Sequence, residues 1–132
     1  MSAPASATFA ASVKVAAQNS LLALIDAGSG PGKFKLRDAS DVLLWSTSLT
    51  DPAGTVNGTT GVLTITFASG TVNAVANGTV AYGEVTNDAD AVLWSAPAQA
   101  GSTAVAGKVV VNTLSAVSGS PLNPLSLVFD PS

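Results

Sequence analysis

The chain has 132 residues, 47% hydrophobic and 10% charged, with five Lys and Arg against eight Asp and Glu, a net charge of −3, no Cys and no His. Its length suits one domain with a single core. The missing Cys and His exclude disulfides, thiolate metal centres and Ser/His or Cys/His nucleophile pairs, and five basic residues are too few for a phosphate-neutralising nucleic-acid surface.

Residues 1–11 are small and mostly uncharged, and are expected to form a flexible arm that orders on a partner. Residues 1–18 lack the basic n-region and unbroken apolar segment of a signal peptide, so they read as mature sequence. No apolar run approaches the roughly 20 residues needed to span a bilayer, so no membrane association is expected.

From Ser12 to Ala27, Val13, Ala17, Leu21, Leu24 and Ile25 recur at steps of three and four, which predicts an amphipathic helix with that face on the core. Ser12 is placed to cap it, Gly28 to end it in a left-handed conformation, and Pro31 to forbid its continuation. The period then changes to two. Phe34 and Leu36 fall on one side of a strand over 33–38, and Lys33, Lys35 and Arg37 on the other.

Further strands are expected over 42–49, 61–68, 78–86, 91–96, 107–112, 114–118 and 125–129, with loops at 50–60 and 118–124. Over 61–68, Leu63, Ile65 and Phe67 alternate with threonines, as in a strand with one buried face. The run Val109-Val110-Val111 does not alternate, which fits either cover on both faces or a subunit contact.

Asp38-Ala39-Ser40-Asp41-Val42-Leu43-Leu44-Trp45-Ser46 is echoed by Asp88-Ala89-Asp90-Ala91-Val92-Leu93-Trp94-Ser95, each reading as a hairpin turn followed by a strand. Paired hairpins and many short strands predict a mainly β chain: one antiparallel β-sandwich domain, jelly-roll-like, over 12–132, with the N-terminal helix at 12–27.

The glycine-rich Gly28-Ser29-Gly30-Pro31-Gly32-Lys33 invites comparison with a phosphate-binding loop. It departs from G-x-x-x-x-G-K-[ST], with Ala27 in the first glycine position and Phe34 in the Ser/Thr position. Its helix also precedes the loop, so the partially negative C-terminal end of the dipole would face an anion. The stretch therefore reads as a helix-to-strand connector.

Asp38 with Asp41, and Asp88 with Asp90, are candidate carboxylate pairs, but Asp in short turns serves local hydrogen bonding, and their spacing is unlike a calcium loop. One Glu, Glu84, and few aromatics make a poor glycosidase. The composition thus points away from an enzyme, and no metal or cofactor is expected. Lys33, Lys35 and Arg37 are read first as a solvated strand face that keeps the sheet from pairing further, and second as contacts to an acidic partner. Trp45 and Trp94 are read first as packing residues and second as subunit contacts.

The helix with Leu22-Ala23-Leu24-Ile25-Asp26-Ala27-Gly28-Ser29-Gly30-Pro31-Gly32-Lys33, the strand Phe34-Lys35-Leu36-Arg37-Asp38, the hairpin, and Leu49-Thr50-Asp51-Pro52-Ala53 together resemble small virion proteins of tailed bacteriophages and prophages, best over 15–53. The second half follows the pattern only: a strand near 81–86, an Asp-rich turn, a strand at 91–96 and Val-rich strands. The resemblance implies a sandwich or jelly-roll structural protein encoded among head genes. It would be a capsid cement or decoration protein on the shell surface, made in the host cytoplasm, with the major capsid protein as partner and a homo-oligomeric state. It supplies no catalytic residues. Such proteins tend to carry Gly in both hairpin turns, where this chain has Asp38-Ala39-Ser40-Asp41 and Asp88-Ala89-Asp90. The alternatives are a tail, neck or head-fibre component or host-surface binding module, and a small carbohydrate-acting enzyme using Glu84 and Asp88.

Overall fold

A computed structural model describes residues 10–68, 72–103, 105, 108–124 and 127–129, so residues 1–9 of the expected arm lie outside the described residues. Along the chain come helix α1 (Ala11–Ile25) and strands β1 (Lys33–Arg37), β2 (Leu43–Val56), β3 (Leu63–Phe67), β4 (Val72–Asn73), β5 (Gly78–Thr79) and β6 (Tyr82–Thr86). They are followed by β7 (Val92–Ala100), β8 (Val109–Val111), β9 (Ser115–Ala116), β10 (Pro121–Leu122) and β11 (Val128–Phe129). The fold is mainly β with one helix, and its principal sheet is mixed and curled into a half-barrel.

That sheet has seven strands in the order β11-β3-β2-β1-β6-β7-β8. Its strand pairs are antiparallel except β7 with β8, which is parallel. Two short ribbons, β4 with β10 and β5 with β9, and an isolated antiparallel bridge between Val111 and Pro124 add to it. Val75 N–H donates to the Leu44 carbonyl at 2.8 Å and Trp45 Nε1–H to the Val72 carbonyl at 2.8 Å, so the segment that carries β4 is tied to β2.

The helix buries a different face from the predicted one. Gln18 and Ile25 are buried and Lys14, Val15, Leu21 and Leu22 half-buried, whereas Val13, Ala17 and Leu24 are exposed. The helix is apolar around most of its circumference, so periodicity alone does not select a face; packing does. Gly61, at φ +76°, lets the turn before β3 approach the helix: a Cβ there would lie 2.5 Å from Lys14 Cβ. The N-cap is Ala10 and makes no side-chain cap bond, so Ser12 sits inside the first turn. At the other end Asp26 is the C-cap, and Gly28 takes φ +111°, as expected of the residue that ends this helix.

β2 runs through part of the expected loop at 50–60. Its pairing with β3 is interrupted between Leu49 and Gly54 and then resumes, with Leu49 and Ala53 both buried. Asp26 Oδ1 accepts the Ala53 N–H at 2.9 Å, which fixes the end of the helix to this irregular stretch. The expected strand over 78–86 is two strands, β5 and β6, on different sheets. β10 falls in the expected loop at 118–124.

The core lies on the β1 face that carries Phe34 and Leu36, both fully buried. The Phe34 ring stacks on Phe67 with centroids 5.3 Å apart and meets Trp45 edge-on at 6.0 Å. Leu63 and Ile65 alternate inward on β3, as predicted. Val109, Val110 and Val111 are all buried within the chain, which accounts for their lack of alternation.

Candidate functional site

β1 is an interior strand, flanked by β2 and β6, so its polar row is not an edge guard; the reason given for a solvated face does not hold. Across the β1–β6 pair, Lys33 lies opposite Thr86, Lys35 opposite Glu84, and Arg37 opposite Tyr82. On the outer flanks, Ser48 and Ser46 stand opposite Lys33 and Lys35, and Ser95 opposite Glu84. Opposed residues share a face, so these side chains form one polar surface over the centre of the sheet.

The charges on this surface are matched. Lys33 Nζ and Lys35 Nζ donate to Asp90 Oδ1 at 3.0 and 2.7 Å, and Arg37 Nε donates to Glu84 Oε1 at 2.7 Å. Arg37 Nη1 also donates to the Asp41 carbonyl at 3.0 Å, and Tyr82 Oη to Asp41 Oδ1 at 2.7 Å. Lys33 and Lys35 thus share the Asp90 carboxylate and Arg37 takes that of Glu84, while the Asp41 carboxylate takes the Tyr82 hydroxyl. Lys35 and Glu84 are mostly buried, with side-chain exposures of 11% and 8%.

These contacts set the protonation states. The Lys35 and Lys33 ammonium groups bonded to Asp90 hold its carboxyl below the usual carboxylate value. The Glu84 hydrogen bond pushes the Arg37 guanidinium up, and the Asp41 hydrogen bond raises the Tyr82 phenol to about 12. Near the helix end, burial raises the Asp26 carboxyl, opposed by the Ala53 N–H and reinforced by Asp51.

The two hairpins are built alike. Equivalent residues differ by 49 in number: Lys33 matches Tyr82, Leu44 matches Leu93, and Trp45 matches Trp94. The pairing shifts at corresponding points, between Leu36 and Arg37 in the first hairpin and between Val85 and Thr86 in the second, so that Leu44 and Leu93 are each passed over. Asp41 and Asp90 take φ of +67° and +65°, a region that favours Gly. The Asp41 N–H bonds to the Asp38 carbonyl and the Asp90 N–H to the Asn87 carbonyl, both at 3.1 Å. Val42 N–H bonds to Asp38 Oδ1 at 2.9 Å, and Ala91 N–H to Asn87 Oδ1 at 3.0 Å. Asp41 and Asp90, at positions whose φ suits Gly, accept bonds from the opposite hairpin, which a Gly could not do.

The sequence-predicted residues thus divide. Lys33, Lys35 and Arg37 come together on the polar surface. Trp45 lies on the opposite face, buried, and Trp94 is half-buried, opposite Val85 on the same side. Tyr82, Glu84, Asp41 and Asp90 complete the network as partners of the basic row. The detectable signal for them was the hairpin echo, which aligns Tyr82 with Lys33 when extended back through the strands.

The Gly28–Gly32 connector packs on the second hairpin turn. A Cβ on Gly30 would lie 2.9 Å from Asp88 Oδ1, so the loop lies against a carboxylate, an arrangement opposed to holding phosphate. No protein-family model, no curated protein and no solved structure matches this chain. Among the described residues no helix is long and apolar enough to cross a membrane, and no cluster of acidic side chains is suited to a metal ion.

Proposed function

We propose that the chain is a structural protein of a tailed-bacteriophage virion, a cement or decoration protein on the outer surface of the capsid, and that it is not an enzyme. On this reading the curled sheet and the two ribbons are the layers of an antiparallel, jelly-roll-like sandwich, with β8 as a parallel addition. The major capsid protein is the partner, and the bound form is a homo-oligomer.

The observation that carries the reading is the internally matched polar surface. A charge buried at an interface costs desolvation unless it is paired, and here Lys33, Lys35, Arg37, Glu84 and Asp90 meet their partners within the chain. Such a surface can be covered by a protein partner without stranding a charge. Val92, 54% exposed and opposite Thr86 on this surface, and Val42, 48% exposed beside it, supply apolar area at its margin. Binding of this kind stabilises the assembled shell by linkage, since the partner surface exists only when the shell is assembled. The resemblance over 15–53 supplies the phage assignment.

Purified protein incubated with heads lacking it is expected to co-sediment with them and to raise their disruption temperature. Val42→Asp with Val92→Asp is expected to weaken this binding while leaving the circular dichroism spectrum unchanged. Recovery on tails alone would overturn the assignment.

A further inference from the structure

The two hairpins meet through β1 and β6 about an approximate two-fold axis. With the offset of 49, the pair Lys33–Thr86 maps onto Arg37–Tyr82 reversed, Phe34–Val85 onto Leu36–Gly83 reversed, and Lys35–Glu84 onto itself. The axis therefore passes between Lys35 and Glu84. Two of the bonds that cross the seam obey it too: Lys33 reaches the turn residue Asp90, and its equivalent Tyr82 reaches Asp41; Lys35 to Asp90 and Arg37 to Glu84 follow the charges instead. This is how two copies of one hairpin would pair in a two-fold dimer, except that both copies lie in one chain.

The seam departs from two-fold symmetry in charge and in size. Two copies of β1 in the same register would bring Lys35 against Lys35 and Lys33 against Arg37, cations facing cations. Two copies of β6 would place Glu84 against Glu84. In the core, Phe34 has Gly83 as its equivalent, and a Cβ on Gly83 would lie 3.0 Å from the Phe34 ring.

We propose that β1 and β6 are complementary docking surfaces for copies of this chain, and that the opposed charges of Lys35 and Glu84 decide which hairpins pair. In the native chain the complementary hairpin is the chain's own, and pairing closes internally. When the charges within a chain are made alike, each hairpin fits the oppositely altered hairpin of another copy, and the two chains exchange them. This inference does not depend on the virion assignment.

The test uses two full-length variants, Lys35→Glu and Glu84→Lys, of which one carries a mass tag. Each has like charges across its own seam, two carboxylates in the first and two ammonium groups in the second. Exchange sets the altered β1 of the first against the altered β6 of the second, and the native β1 of the second against the native β6 of the first, so both seams regain opposite charges. Unfolded together and refolded, the variants are expected to give a one-to-one heterodimer by native mass spectrometry. Its yield should exceed that of co-refolded tagged and untagged wild type by about tenfold, the ratio expected when two opposite-charge cross-strand pairs replace two like-charge ones. The double variant Lys35→Glu/Glu84→Lys, complementary within one chain, is expected to return to the wild-type yield, because the symmetry places its β6 ammonium to reach Asp41 as Lys35 reaches Asp90. Single variants that fold and remain separate, or that fail to refold even when mixed, would overturn the proposal, as would a double variant that still exchanges.

Discussion

Tyr82 Oη donates a 2.7 Å hydrogen bond to Asp41 Oδ1, reaching from the start of β6 to the turn of the other hairpin. The contact raises the phenol from 10.0 to about 12. Because the folded value lies above the unfolded one, the stabilisation is fully present below pH 10 and is lost as pH rises toward 12. Tyr82 is the only tyrosine, so absorbance near 295 nm follows it alone. Asp41→Gly, which removes both acceptor and charge and suits the φ of +67°, is expected to move the phenolate transition back toward 10, and an unmoved transition would show that Asp41 is not its cause.

Asp90 gives the opposite pH dependence. Its carboxyl titrates below the ordinary 3.8 because Lys35 and Lys33 bond to it, so its stabilisation is present above about pH 4 and is lost as pH falls through the folded value. Wild type is expected to lose melting temperature between pH 5 and about 2.5 more steeply than Asp90→Asn. The difference should shrink in high salt, because Asp90 is exposed and its pairs are screened. Parallel acid profiles for the two proteins would contradict this role.

Gly83 tests the size asymmetry of the core. A Cβ there would lie 3.0 Å from both the Phe34 ring and Val109 Cγ2, and Gly83→Ala is expected to cost about 1–3 kcal/mol in urea unfolding, the range for overpacking. Gly58, whose added Cβ would meet nothing within 4 Å, is the control: Gly58→Ala is expected to stay within about 0.5 kcal/mol of wild type. Equal effects at the two positions would contradict the packing described here.

Asp26 joins the end of α1 to β2 through the Ala53 N–H. Asp26→Ala removes the acceptor and is expected to cost about 1 kcal/mol at pH 7, whereas Asp26→Asn keeps an acceptor oxygen and removes a carboxylate that burial disfavours. The Asn variant is therefore expected to match or exceed wild type in thermal unfolding. Since the folded value of Asp26 is raised, its carboxyl favours the folded state increasingly as pH falls, opposite to Asp90. An Asn variant as unstable as the Ala variant would show that the charge, not the hydrogen bond, matters.

Local chemistry was legible where one residue type decides the backbone. Gly28 after the helix, the alternation of Leu63 and Ile65, and the two Asp-containing turns all stand where the sequence places them. The buried face of α1 was not legible, because Val13 and Leu24 are as apolar as Leu21 and Leu22, and only the approach of Gly61 and β2 separates them. The position of β1 was hidden for a related reason. An alternating strand with three cations reads as exposed, and its neutralisation by Glu84 and Asp90 depends on residues some fifty positions away. The short strands β4 and β10 carry too few residues to show a period at all.

The proposed capsid-surface role is checked by a cryo-EM map of the phage particle proposed to carry this chain. That role requires density for a mainly β domain with one helix on the outer face of the shell, contacting the major capsid protein and repeated over the capsid lattice. Density confined to the tail or neck, or a shell whose outer surface lacks it, would rule that role out.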